Sequence, residues 1–375
     1  MLSPHDFYSL CAEQDIDFFT GVPDSLLKNF CSYITDHVPD NQHIIAANEG
    51  GAVALAAGHY LATGRFGLVY MQNSGQGNSV NPLTSLADPD VYSIPMILLI
   101  GWRGEPGVQD EAQHVKQGKV TLKILETLDI PYRLLPESIE EATKCLGKLV
   151  DTMSINKRPV ALVVKKGIFD SYKLKKTADD ISTLTRENAI QIIGDALSPT
   201  NIVVSTTGKI SRELYEHRDS IDHNHGRDFL TVGSMGHASQ IAMGIALAKP
   251  HRQVFCLDGD GAVIMHMGAL AIIGSRSPHN FKHIILNNAA HDSVGGQPTV
   301  GNKVAFTRIA AACGYQSTWV AKTSEELKQL LLQLCSSQGP ALLEVQISKG
   351  ARKNLGRPKT TPRENKLAFM DFLSK

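Results

Sequence analysis

Residues 253–288 read QVFCLDGDGAVIMHMGALAIIGSRSPHNFKHIILNN, and the fold turns on how this stretch divides. The run QVFCLD has the apolar character of a buried strand, and Gly259-Asp260-Gly261 interrupts it sharply. From Ala262 the pattern AVIMHMGALAIIG predicts a helix, and FKHIIL predicts a second buried strand ending at Asn287-Asn288. One α/β unit then places the GDG turn and the Asn pair side by side. Gly259 and Gly261 let the backbone approach a ligand closely. The helix beginning at Ala262 aims its first N–H groups at the same place, where phosphate is favoured. Asp260 offers a carboxylate and Asn288 an amide oxygen, a hard donor set that with phosphate oxygens suits Mg²⁺. The same residues also fit a tight turn followed by an Asn-rich loop.

Outward from this unit the alternation continues in both directions. Upstream, IDFFT, HIIAA, FGLVYMQ, PMILLIG, PYRLL and PVALVV read as strands separated by helices such as EGGAVALAAGHYLATG. Ser3 caps a first helix that has Pro4 at its first position and Phe7, Leu10 and Cys11 on one face. Apolar strands alternating with helices predict parallel sheets covered on both faces. Residues 165–186, KKGIFDSYKLKKTADDISTLTR, carry five lysines and no strong apolar period, so they read as a linker. The expected organisation is α/β: a domain over 1–165, a linker over 166–185 and a second domain over 186–375. No sequence repeat relates the two.

Bulk properties remove several classes of function. There are 37 basic and 37 acidic residues, which argues against nucleic acid or an anionic membrane surface as the main partner. Six scattered cysteines without a CxxC pair read as free thiols of a cytoplasmic protein, not a zinc site or disulfide frame. MLSPHDFYSL lacks the pattern of a signal peptide, and IPMILLIGW is too short for a membrane span. A nicotinamide enzyme would show GxGxxG after a first strand, and GQG in NSGQGN is not that pattern.

Two more turns in the second domain follow predicted strands. They are Thr206-Thr207-Gly208 after NIVVS and Gly233-Ser234-Met235-Gly236 after DFLTV. Ligands of open parallel sheets sit outside such strand ends, and several converging turns suit a diphosphate. Thr207 and Gly208 equally fit an ordinary helix start, and Met235 an ordinary packing residue.

At this point the Asp260–Asn288 pattern resembles the signature of thiamine-diphosphate enzymes. The resemblance implies that Asp260, Asn288 and the backbone carbonyl of Ala290 bind Mg²⁺. It implies that Met235 wedges under the cofactor, with Thr207, Gly208, Gly259, Gly261 and Ala262 lining its place. It also requires a Glu near a helix start in the first domain, and IIAANEGGAVALAAGHYLATG supplies Glu49. In an apolar, water-poor setting such a carboxyl shares a proton with the cofactor's aminopyrimidine. Taken alone, Glu49 equally suits a helix dipole.

Two first-domain segments bear on substrate. GVPDSLL resembles a turn of 2-keto acid decarboxylases in which an Asp assists proton transfer, and Asp24 holds that place. Its other reading is an N-cap of the next helix. GWRGEPGVQDEAQHVKQGK, residues 101–119, reads as a long charged loop. Arg103 and Lys116 are candidates to hold a doubly charged anion and His114 to relay a proton, whereas Lys119 reads as a solvated charge. His291 is a further candidate beside the substrate.

The stretches ANEGGAVALAAG, YMQNSGQGN, IGWRGEPGVQDEAQH, STTGKISRELYE, GSMGHASQIA and NNAAHDSVGGQPT are similar to the phosphonopyruvate decarboxylase family along essentially the whole chain. The resemblance implies two thiamine-diphosphate-binding-fold domains without a central third one. It implies decarboxylation of a small anionic 2-keto acid, and a homo-oligomer whose active sites lie between subunits. Sulfopyruvate decarboxylase, which shares fold and cofactor, is the alternative. NNAAH departs from the family's more usual NNGAH at Ala289, a change of little consequence if the backbone there avoids positive φ.

Overall fold

The computed structural model describes residues 1–176, 182–221 and 223–375. The chain divides into two compact units, Met1–Thr177 with Ser293–Gln297, and Ala178–Asp292 with Pro298–Lys375. Each is built on a six-stranded sheet with every pairing parallel.

The first sheet contains β1 (Ile16–Gly21), β2 (His43–Ile45), β3 (Phe66–Gln72), β4 (Ile97–Gly101), β5 (Tyr132–Leu134) and β6 (Val160–Val164), in the order β2-β1-β3-β4-β6-β5. The second contains β7 (Ile202–Ser205), β8 (Asp228–Leu230), β9 (Val254–Gly259), β10 (Phe281–Asn287), β11 (Ser317–Ala321) and β12 (Ala341–Gln346), in the order β11-β12-β10-β9-β7-β8. Counted from its own first strand, each sheet runs second, first, third, fourth, sixth, fifth. The two topologies are the same although no sequence repeat links them.

Central strands are mostly apolar because helices cover both faces. In β4, Ile97 and Leu99 enter one core while Leu98 and Ile100 enter another. In β10, Ile284 and Leu286 face one core and Ile285 the other. Each such side chain contributes roughly 1.5–3 kcal/mol by leaving water. The six cysteines are free.

Local rules account for many boundaries. Ser3 accepts from Asp6 N and Pro4 opens the first helix, Pro4–Glu13. The helix after the GVPDS turn starts at Lys28. Two expectations change. The single helix expected from Ala262 is two, Asp260–Met265 and Gly268–Arg276. His266 leaves helical geometry at φ −133°, ψ 48°, and its ring lies against His237. An unbroken apolar period hides that break, because both halves bury residues in the same core.

The stretch read as a linker is packed for much of its length. Ile168 and Phe169 enter the first core, and Asp36 accepts from Tyr172 Oη and from the backbone N–H groups of Lys175 and Lys176. Residues 177–181 of that stretch lie outside the described residues. Among the described residues no helix is long and apolar enough to cross a membrane.

Candidate active site

In the first unit the candidate residues gather at the carboxyl edge of β1, β3 and β4, three adjacent strands. Asp24 follows β1 and is fully buried. Its carboxylate accepts from Leu26 N at 2.9 Å and from Gln72 Nε2, at the end of β3, at 2.8 Å. Gly101, the last residue of β4, faces the same carboxylate, and any side chain there would collide with it. Asp24 therefore does not cap the following helix, whose N-cap is Leu27.

Glu49 is the first residue of helix Glu49–Thr63, with Asn48 as N-cap accepting from Gly51 N. It is 5% exposed, and Asn78 Nδ2 donates to its Oε2 at 2.7 Å. A Cβ on Gly75 would stand 2.5 Å from Glu49 Oε1, so only glycine fits there. The segment after β3 thus holds both acids, with Gln72 on Asp24 and Gly75 and Asn78 on Glu49.

The charged stretch after β4 is shorter than expected, because helix Ala112–Thr127 takes up its second half. Arg103 binds Asp110 through Nε at 2.8 Å and Nη2 at 2.5 Å, and reaches Ser25 Oγ with Nη1 at 2.7 Å. His114 Nδ1 lies 3.0 Å from the same Asp110. Burial raises the Asp110 carboxyl, but hydrogen bonds from Arg103, His114 and Gly104 N outweigh it and hold the group well below the usual range. Arg103, Asp110, His114 and Ser25 therefore form one network beside Asp24. Lys116 is not part of it. It is exposed on the helix, two positions from His114 and so on another face.

In the second unit, connections after β8, β7, β9 and β10 emerge at one edge, since these strands are consecutive neighbours. Gly208 has φ +98° and precedes helix Lys209–Ile221. Thr206 N is tied to Leu257 O, so Thr207 and Gly208 stand next to the GDG turn. A Cβ on Gly261 would meet Met235 Cε at 3.4 Å and His291 Cε1 at 3.3 Å. Met235, His291 and the GDG turn therefore surround one spot. His291 keeps some exposed surface, yet burial of its ring pulls its pKa down to about 4. Ala262 is buried, and its carbonyl lies under Gly236.

Asp260 is 3% exposed, and burial pushes its pKa up to about 6 against the hydroxyl of Thr299 and the N–H groups of Asn288, Asp260 and Gly261. Thr299 Oγ1 donates directly to Asp260 Oδ2. Gly301 closes the far side, where a Cβ would stand 2.6 Å from Asp260 Oδ2. Asn287 is structural, donating to Gly301 O and Glu344 Oε1. Asn288 donates from Nδ2 to Asp292 Oδ2 at 2.9 Å. The carbonyl of Ala289 receives Thr299 N. Ala289 has φ +53°, so the condition for a harmless Ala-for-Gly change is not met. A desolvated carboxylate, an amide and a carbonyl within glycine-lined space match the donor set and close approach that Mg²⁺ and a diphosphate need.

Several of these residues do not stand out in the sequence. Gln72 and Asn78 have only their polarity at a strand end and turn. Asp110, Asp292, Thr299 and Gly301 gain their roles from chain returns that bring them back to the site.

Each unit is similar to a known domain. Residues 5–124 match the thiamine pyrophosphate enzyme N-terminal TPP binding domain, and residues 207–345 match the C-terminal TPP binding domain of the same enzymes. Two thiamine pyrophosphate-binding domains, one in each unit, define the class. A phosphonopyruvate decarboxylase of Streptomyces viridochromogenes is 35% identical over 365 residues, covering 92% of this chain and 90% of its own. Another, of Streptomyces hygroscopicus, is 33% identical over 99% of this chain and 94% of its own. A sulfopyruvate decarboxylase of Methanosarcina acetivorans is 27% identical over 96% of this chain and 94% of its own. The chain belongs to the phosphonopyruvate decarboxylase family.

Proposed function

We propose that this protein is a thiamine-diphosphate- and Mg²⁺-dependent carboxy-lyase that converts 3-phosphonopyruvate to phosphonoacetaldehyde and CO₂ in phosphonate biosynthesis. The cofactor supplies the electron sink for the carbon that loses CO₂. Asp260, Asn288 and the Ala290 carbonyl hold the metal. Thr207, Gly208, Gly259, Gly261 and Ala262 receive the diphosphate on backbone N–H groups and glycine-lined space, and Met235 supports the ring system from below. Glu49, shielded from water, would meet the aminopyrimidine of the bound cofactor with its carboxyl and pass a proton to and from it. Asp24 and His114 move protons at the substrate carbon, and His291 lines the substrate. Arg103 is the cation for the phosphonate. Three of its five N–H groups serve Asp110 and Ser25, which leaves two for an anion. Exposed Lys116 is the weaker candidate for that task.

The observation that carries the reading is buried Glu49 at a helix start, pressed against Gly75, in the unit without the metal donors. We assign residues 1–165 to the pyrimidine side and 186–375 to the diphosphate side. We further propose that each site draws on two copies of the chain, in a cytoplasmic homo-oligomer of at least two subunits. Light scattering that finds an active monomer defeats this. A coupled aldehyde assay with phosphonopyruvate, sulfopyruvate and pyruvate tests the substrate. Preference for sulfopyruvate moves the assignment to sulfopyruvate decarboxylase.

A further inference from the structure

We infer that Asp292 is a positioning residue that fixes which face of the Asn288 amide meets the metal. The inference rests on the reading that Asn288 is a ligand. An Asn side chain carries an acceptor oxygen and a donor nitrogen of nearly equal size, and a flipped amide would turn N–H groups toward the cation. Something must select the orientation before the metal arrives. Asp292 is placed to do so. As a carboxylate it accepts only, and its Oδ2 takes Asn288 Nδ2 at 2.9 Å. The nitrogen is thereby drawn to Asp292 and the oxygen is turned away from it. Ala290 N donates to that oxygen at 3.1 Å, which reinforces the same choice.

Asp292 is itself immobilised. The same Oδ2 accepts from Arg186 Nη1 at 3.1 Å and Gly350 N at 2.9 Å. Lys209 Nζ donates to the Asp292 carbonyl at 3.1 Å. Arg186 cannot swing away. It is 5% exposed, its Nε and Nη2 bind Glu213 at 2.8 and 2.9 Å, and Nη2 also reaches Gly350 O. The hub joins the helix starts at Arg186 and Lys209, the segment after β10 and the segment after β12. Supporting residues of this kind orient metal ligands and tune their affinity.

The test is a titration of Mn²⁺ and Mg²⁺ into metal-stripped protein saturated with thiamine diphosphate, with free Mn²⁺ read by electron paramagnetic resonance. Asp292→Ala removes the acceptor that draws Asn288 Nδ2. It is expected to weaken metal binding by roughly 10- to 100-fold. Its metal-free thermal midpoint should fall, because buried Arg186 loses a charge partner, so affinity is read at a temperature where circular dichroism shows the variant folded. Asp292→Glu, which restores an acceptor-only group, should recover most of the affinity. Asp292→Ser provides the same test if the Ala variant does not fold. Asn288→Ala separates the two readings. If it loses metal affinity while Asp292→Ala stays within about twofold of the parent, the positioning role is wrong and the ligand stands. If Asn288→Ala leaves affinity unchanged, the ligand reading and this inference fall together.

Discussion

The two sheets share one strand order, yet their carboxyl edges are furnished in opposite ways. The edge of the first unit is lined with side chains. Asp24, Glu49, Gln72, Asn78, Arg103, Asp110 and His114 are cross-linked by hydrogen bonds there. The edge of the second is lined with glycines and helix starts around one buried acid, Asp260. A parallel sheet provides a place for a ligand at its strand ends but does not say which chemistry happens there. Side chains suit proton movement, which needs groups that gain and lose charge. Bare backbone suits a diphosphate, which needs many N–H groups and room.

The largest effect that would break this comparison is at Glu49. Glu49→Gln should lower decarboxylation by at least roughly 10²- to 10⁴-fold while leaving metal and diphosphate binding intact. Turnover near the parent rate, measured by the aldehyde assay, ends the assignment. Asp260→Asn should do the reverse. Losing a ligand should cost metal affinity more than the roughly 10- to 100-fold of a supporting residue. The metal-free protein should gain on the order of 2 kcal/mol, because a desolvated charge has been removed. Calorimetry with and without Mg²⁺ would detect an unstabilised variant that still binds metal, which contradicts this.

Smaller changes sharpen the contrast. Gly75→Ala should impair catalysis and spare metal affinity, whereas Gly301→Ala should impair metal affinity first. If both variants show the same defect, the division between the units is not functional. Acid response is shared by the two units, since burial pulls down the pKa of both His43 in the first and His291 in the second. His43 bonds Tyr70 Oη at 2.9 Å, and burial pulls its pKa to about 4 from 6.5. The unfolded chain therefore takes a proton near pH 6.5 that the folded one refuses until about pH 4. The stability His43 contributes is full above pH 6.5 and lost as pH falls through 4. His43→Gln should flatten urea midpoints over that window, and an unchanged slope counts against it. The smallest effect is at Ala289. Ala289→Gly relieves a left-handed residue but loosens the unfolded chain, for a net gain of at most about 1 kcal/mol. Thermal melts showing destabilisation would place the strain elsewhere.

Much of this was legible before any coordinates. The alternation around Gln253–Asn288 specifies a parallel sheet because strands covered by helices on both faces are mostly apolar. Asp260, Asn288 and Glu49 are legible because each sits at a strand end or helix start, where local rules apply. Asp110 escaped notice within a quoted segment, since its worth lies in turning back onto Arg103 and His114. Asp292 and Thr299 escaped for the same reason. The break at His266 and the sign of φ at Ala289 depend on packing that periodicity does not encode. Lys116 lies on another helical face from His114, which charge in a long stretch does not reveal.

Gly75, Gly101 and Gly301 each stand over a carboxylate, those of Glu49, Asp24 and Asp260 in turn. Chemically, the missing atoms are as much a part of the site as the present ones. Attempts to reshape substrate choice by adding bulk have no foothold at these three positions. Variation that keeps the reaction alive must enter through the hydrogen-bond partners of Asp24, at Ser25 and Gln72, where one polar group can replace another without occupying the acid's own space.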